Sequence, residues 1–369
     1  MWQIAADYLN MLDRHSDKAA TWYAAAEKNM PKEKLLQMQL RLLKLVNTIA
    51  AEPQVTAKLE NAVLNDIEWL RSMNPNEPST FRFIGAYDWV KRAMANRYLN
   101  KQDSLRSVCY VNDLTFYVND KNVEAMKAFL DKPNKTPYEQ LCARLYIMDK
   151  NDLLEYQAIC LTYKNELKEA ITKIQSAGGG KTLPGNPFNG RLQDCHDCDH
   201  QAPQKIKYSK VELLRKMKEI EDNIKANKDV HRNALLLGNA FYNITHYGNA
   251  RAFYECDVIG SNYYAPYEIV NGIRNDLLSM TLATKYYTIA LNAAQNDEQK
   301  ARCHFMLAKC ERNQWYNETL YIDNEYHDNS LGDFKAWNGF KTLQQQYANT
   351  QFFKEVINEC GYFRTYIKK

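Results

Sequence analysis

From about residue 32 to residue 366 the chain keeps returning to one pattern. Apolar side chains recur three and four positions apart, in runs of helical length, between capping and breaking residues. Leu35, Leu36, Met38, Leu40, Leu42, Leu43 and Val46 fill the first such run, from 32 to 50. A second begins at Pro53 with Leu59, Val63, Ile67 and Leu70, and Asn74-Pro75-Asn76 breaks it; a third spans about Ser79 to Tyr98. Thr136-Pro137-Tyr138-Glu139 is a capping box with Pro at the first helical position, followed by Leu141, Leu145 and Met148. Asn151 opens a helix expected to reach Ser176. Ser209-Lys210-Val211-Glu212 opens another, with Leu213, Leu214, Met217 and Ile220, and a last long helix is expected from about Phe340 to Tyr366. With only 13 Gly and 10 Pro in 369 residues, a turn-rich β fold has too few places to turn. The pattern predicts an all-α chain.

The stretch 234–254 organises the rest. Leu237, Gly238 and Phe241 fall on one face of a first helix, and Ala250 and Tyr254 on a facing second helix. This spacing resembles the L-G-x2-Y and A-x3-F halves of a tetratricopeptide unit. Half-signatures recur at Ala19-x3-Tyr23-x2-Ala26, Ala125-x3-Phe129 and Ala283-x3-Tyr287-x2-Ala290. The resemblance implies an irregular α-solenoid of tetratricopeptide-like helical hairpins. The expected division is an N-terminal array over 1–176, a Gly/Pro/Cys-rich loop over 177–206, and a C-terminal array over 207–369.

Charge and hydropathy narrow the function classes. The 48 basic and 44 acidic residues are well mixed, so the net +4 makes no concentrated basic face for nucleic acid. No run approaches the about 18 apolar residues of a membrane span. Met1 leads straight into the amphipathic set Trp2, Ile4, Ala5, Tyr8, Leu9 and Leu12, as expected for a segment of a longer protein. Of nine cysteines, Cys142, Cys160, Cys303, Cys310 and Cys360 fall in helical patterns, where buried thiols behave as small hydrophobes.

Gly180-Lys181-Thr182 ends like a phosphate-binding loop, but Gln175 stands where the first glycine belongs and a helix precedes it, so a flexible linker is expected. Cys195-His196-Asp197-Cys198-Asp199-His200 is the densest ligand cluster. Cys195, Cys198, His196 and His200 could fill a tetrahedral zinc shell, with distant His231 as another donor. The same residues could instead form a hydrogen-bonded structural plug or a local disulfide. The plug is the expectation, because no second C-x2-C follows. The 25 tyrosines cluster at Tyr263-Tyr264-x-x-Tyr267 and at Tyr316, Tyr321 and Tyr326, with Trp315 and Trp337 nearby. Inter-helix packing is the expectation, with a stacking surface for sugars or peptides as the alternative. No acids and histidines stand at a spacing that nominates an acid/base pair.

The cysteine hexapeptide and the Leu-Leu-Gly-Asn-Ala-Phe-Tyr-Asn-Ile-Thr-x-Tyr-Gly-Asn-Ala run together resemble the C-terminal half of a family of large helical-repeat proteins of Bacteroidota-type bacteria. Ala308-Lys309-Cys310-Glu311 and Glu359-Cys360 fit it too, over about Asp194 to Lys369. The resemblance implies a cell-envelope or secreted location and carries no activity. The expected function is a non-enzymatic protein- or peptide-binding scaffold. The alternatives are a glycan-binding envelope protein and a metal-dependent enzyme centred on Cys195–His200.

Overall fold

The computed structural model describes residues 1–74, 76–77, 80–190, 206–262, 264–319 and 338–368. Among these the fold is all-α, and pairing between extended segments is limited to two isolated bridges, Thr182 with Ser209 and Cys256 with Gly260. No helix among them is long and apolar enough to cross a membrane. Contacts group the chain into two compact units, Met1–Asp149 and Lys150–Lys369.

In the first unit, α1 (Trp2–Asp7) runs into a π-helical turn, Tyr8–Leu12. Then come α2 (Ser16–Lys28), α3 (Lys34–Ala51), α4 (Ala57–Arg71), α5 (Phe81–Asn100), α6 (Ser104–Tyr110), a 3-10 turn (Leu114–Val118), α7 (Asp120–Asp131) and α8 (Pro137–Leu145). Neighbours in sequence pack as neighbours in space from α1 to α7, and α8 closes against both α4 and α6. The expected stripes are the buried faces: Ala19, Tyr23 and Ala26 on α2, and Leu59, Val63, Ile67 and Leu70 on α4. Thr56 caps α4 by accepting from Leu59 N. The Thr136/Glu139 capping box forms as the sequence predicts, and Lys132 Nζ donates to both Glu139 oxygens at 2.7 Å. These bonds hold the Glu139 carboxyl below its ordinary range. Met148 lies beyond the end of α8 and is buried all the same.

The second unit begins with α9 (Lys150–Tyr163) and α10 (Leu167–Ser176). The single helix expected here is broken because Asn165 takes a left-handed conformation, φ 62°. Both helices belong with the second unit, α10 packing on α11 (Lys210–Lys225) and α9 on α13 (Asn271–Leu278). The expected array over 1–176 therefore divides at Asp149 rather than at its end. Apolar residues bury α9 on more than one side, through Leu153, Leu154, Tyr156, Ala158 and Ile159.

The glycine run is no flexible linker. Gly178, Gly179 and Gly180 all have positive φ, and Val211 N donates to Gly179 O at 3.1 Å while Lys210 N donates to Lys181 O at 3.1 Å. The turn is thus seated on the start of α11, whose Ser209/Glu212 capping box is formed. Its glycines are needed for close approach as well as for φ. A Cβ on Gly180 would lie 2.9 Å from Lys210 Cβ.

After α11 come α12 (Val230–Asn243), α13, α14 (Thr281–Asn292), α15 (Asp297–Thr319), α16 (Asn338–Gln346), α17 (Gln351–Glu359) and α18 (Gly361–Lys368). The long C-terminal helix expected from the sequence is three helices. Thr350 caps α17 by accepting from Phe353 N, and Cys360 is extended between α17 and α18. Phe340, Leu343, Phe353, Val356 and Phe363 still face inward. Glu298 of α15 supplies a second cap, accepting from Gln351 N at 2.6 Å and Phe352 N at 2.9 Å. A carboxylate there satisfies backbone donors that α17 leaves open and complements its dipole.

Candidate functional site

The residues singled out by sequence are core residues around α12, though not as a hairpin. Leu237 and Phe241 are buried, and Gly238 is where α12 meets α14: a Cβ there would come within 2.6 Å of the Tyr287 ring. Ala250 and Tyr254 are fully buried but flank a three-residue 3-10 turn, Arg251–Phe253, instead of lying on a second helix. The chain folds back at once after α12, with Ala250 N donating to Asn243 O at 2.8 Å, and turns again at Gly260, φ 89°. The partner that α12 finds is the later half-signature, Ala283, Tyr287 and Ala290, all buried on α14.

What the spacing argument missed is the polar edge of the same helix. Asn239 and Asn243 stand one turn apart and clasp the backbone ahead of residue 191. Asn239 Nδ2 donates to Phe188 O at 3.0 Å; Asn243 Nδ2 donates to Pro187 O and to Asn189 O, each at 2.8 Å. The Tyr287 hydroxyl donates to Asn239 Oδ1 at 2.9 Å and fixes the amide's orientation. The available signal was the i, i+4 pair of asparagines in the otherwise apolar stretch 234–243 of the helix. Asn243→Ala should lower the stability of the second unit by about 1–3 kcal/mol, since both bonds are lost in a dry setting. Urea denaturation followed by circular dichroism checks this, and a change below about 0.5 kcal/mol, the range of an ordinary surface substitution, would count against the clasp.

Beside the clasp is a cavity of about 140 Å³ lined by Gly190, Leu235, Asn239, Arg302, Met306 and Phe352. The Arg302 guanidinium lies over the Phe352 ring, 5.0 Å from its centroid.

The first unit carries a larger, open groove of about 480 Å³ between the end of α2, α3 and α4. Leu40 and Met30 give it apolar surface, and charges line its rims. Arg41 Nε donates to Asp66 Oδ1 at 2.6 Å, with the guanidinium stacked on Trp69 at 4.4 Å. Lys44 Nζ donates to Glu27 Oε2 at 2.7 Å. Both pairs are partly solvated.

Cys195, His196, Cys198 and His200 lie outside the described residues, as do Tyr263, Tyr321, Tyr326 and Trp337. Among the described residues, no group of three or more His, Cys, Asp or Glu is placed to hold a metal ion. His231 Nδ1 is 2.9 Å from Ala290 O, which can only accept, so that nitrogen carries its proton there. Tyr316 stacks on Tyr247 at 6.4 Å and Trp315 meets it edge-on, so these two aromatics of α15 are at least partly packing groups. Burial pushes the Cys160, Cys303 and Cys310 thiols up to about 12 and the Cys256 thiol to about 11. They stay protonated at neutral pH and are not poised as nucleophiles.

Comparison of the chain with protein-family models, with curated proteins and with solved structures returned no match.

Proposed function

We propose that this chain is a non-enzymatic scaffold, an irregular α-solenoid that binds a protein or peptide segment, and that it works in the bacterial cell envelope. The groove on α2, α3 and α4 carries the reading. It is open, Leu40 and Met30 give it some apolar surface, and its charged residues offer two cations and two anions from solvated ion pairs. Such pairs are worth about 0–1 kcal/mol, so an incoming chain can exchange into them at little cost. An extended peptide with apolar and charged side chains matches that surface. The envelope location rests on the resemblance of the cysteine segment and the α12 sequence to envelope proteins.

The test is selection from a displayed library of random peptides on the purified chain, followed by titration of the enriched peptide. Arg41→Glu combined with Lys44→Glu inverts both rim cations while leaving Leu40 in place. A weakening of about tenfold or more is expected, the scale of one or two lost charge-assisted contacts. Enrichment of no peptide, or an affinity unchanged in the double variant, would remove the groove from consideration.

A further inference from the structure

We infer that the cavity between α12, α15 and α17 is a binding site for a carboxylate carried on a short apolar stem. Its volume of about 140 Å³ is below the roughly 300–1,000 Å³ of drug-sized pockets and near that of a cavity that takes one small ring. It therefore admits a fragment the size of a side chain. Leu235, Met306 and Phe352 supply apolar wall for the stem, and the latter two are 4% exposed.

The polar groups at the wall are donors. Arg302 is exposed and makes no hydrogen bond or ion pair with any described residue; its one close partner is the Phe352 ring. The contact with the ring uses none of its N–H groups, so the fork remains available for bidentate pairing with a carboxylate. Asn239, 5% exposed, spends one N–H on Phe188 O and its carbonyl oxygen on the Tyr287 hydroxyl, which leaves the second N–H as a further donor. The nearest acid along α15 is Glu298, one turn before Arg302. Its two oxygens are engaged by Gln351 N and Phe352 N, so its charge is set against the positive end of α17. The same two bonds fix Phe352, the surface on which Arg302 rests. This site is independent of the groove in the first unit, and either can fail without the other.

The carboxylate could belong to a free short-chain acid or to an acidic side chain of a peptide, and two probes separate these sources. Isovalerate and N-acetyl-glutamate methylamide are each titrated into the full chain by ligand-observed NMR, with isovaleramide as the neutral isostere. Saturable binding of at least one acid is expected, with the amide weaker by about ten- to a hundredfold, the worth of hydrogen bonds to a charged group. Tighter binding of isovalerate assigns the site to free acids, and tighter binding of the blocked glutamate assigns it to peptide side chains. Arg302→Gln should reduce acid binding to the level of the amide. Arg302→Lys, which keeps the charge but not the fork, should fall between. Arg302 is exposed, so unchanged circular dichroism and melting temperature are expected for both variants; Leu235→Phe, which adds bulk to the cavity lining from α12, provides an independent block. Equal binding of acid and amide, undiminished acid binding in Arg302→Gln, or absence of saturable binding by both acids would overturn the assignment.

Discussion

Lys210→Ala should destabilise the second unit by about 3–5 kcal/mol, the cost of breaking a buried ion pair from one side. Lys210 is fully buried although it is the first residue of α11, where a helix dipole disfavours a cation. Its ammonium donates to Glu155 Oε1 of α9 and to Glu255 O, each at 2.6 Å, and its stem passes beneath the glycine turn at Gly180. Truncation leaves the Glu155 carboxylate without its cation, at a position where it is 20% exposed. It also removes the Cγ and Cδ of the stem under Gly180, while the backbone bonds that seat the turn remain. The loss is a large share of a typical domain stability of about 5–15 kcal/mol. Urea denaturation of the full chain, followed through the transition of the second unit, measures it. Lys210→Met with Glu155→Gln removes both charges at similar volume and should recover much of the loss, because the penalty belongs to the orphaned partner rather than to the absent attraction. A loss under about 1 kcal/mol, or no recovery in the double variant, would mean that the pair is not the dry contact described.

Local chemistry was legible in the sequence, and encounters between distant segments were not. The boxes at Thr136/Glu139 and Ser209/Glu212 are satisfied by residues three positions apart, so reading them needs no knowledge of the fold. The stripe Leu59, Val63, Ile67 and Leu70 is likewise a property of one helix. The break at Asn165 and the extended Cys360 each turn on a single residue's backbone within an apolar pattern that continues on both sides, so periodicity passes over them. Gly178–Gly180 reads as a linker because glycine signals freedom, and only the approach of Lys210 shows that the freedom is spent on one conformation.

The candidate sites follow the same division. Gly238 could be named from its neighbours in the chain, but its true partner, Tyr287, lies on the far side of the 3-10 turns and α13. The groove needs Glu27, Arg41 and Asp66 from three helices, and the carboxylate site needs Asn239, Arg302 and Phe352 from three others. Each of these residues taken alone reads as an ordinary surface or core residue.

Gly238→Leu should cost the second unit about 2–4 kcal/mol. A Cβ at this position would sit 2.6 Å from both Cδ1 and Cε1 of Tyr287, and the ring has nowhere to retreat, since Tyr287 is fully buried. Overpacking of a dense core accounts for about 1–3 kcal/mol of the loss. The rest comes from the Tyr287 hydroxyl, whose bond to Asn239 Oδ1 cannot survive a shift of the ring and is worth about 1 kcal/mol. Gly238→Ala should cost less, because it brings only the Cβ against the ring where leucine adds three further carbons, while both regain helix propensity over glycine. Combining Gly238→Ala with Tyr287→Leu should then be less damaging than the sum of the two single changes, the coupling expected of positions in contact. Denaturation midpoints of the four variants provide the measurement. Additive losses, or a Gly238→Leu protein as stable as the parent, would show that α12 and α14 do not meet at this glycine.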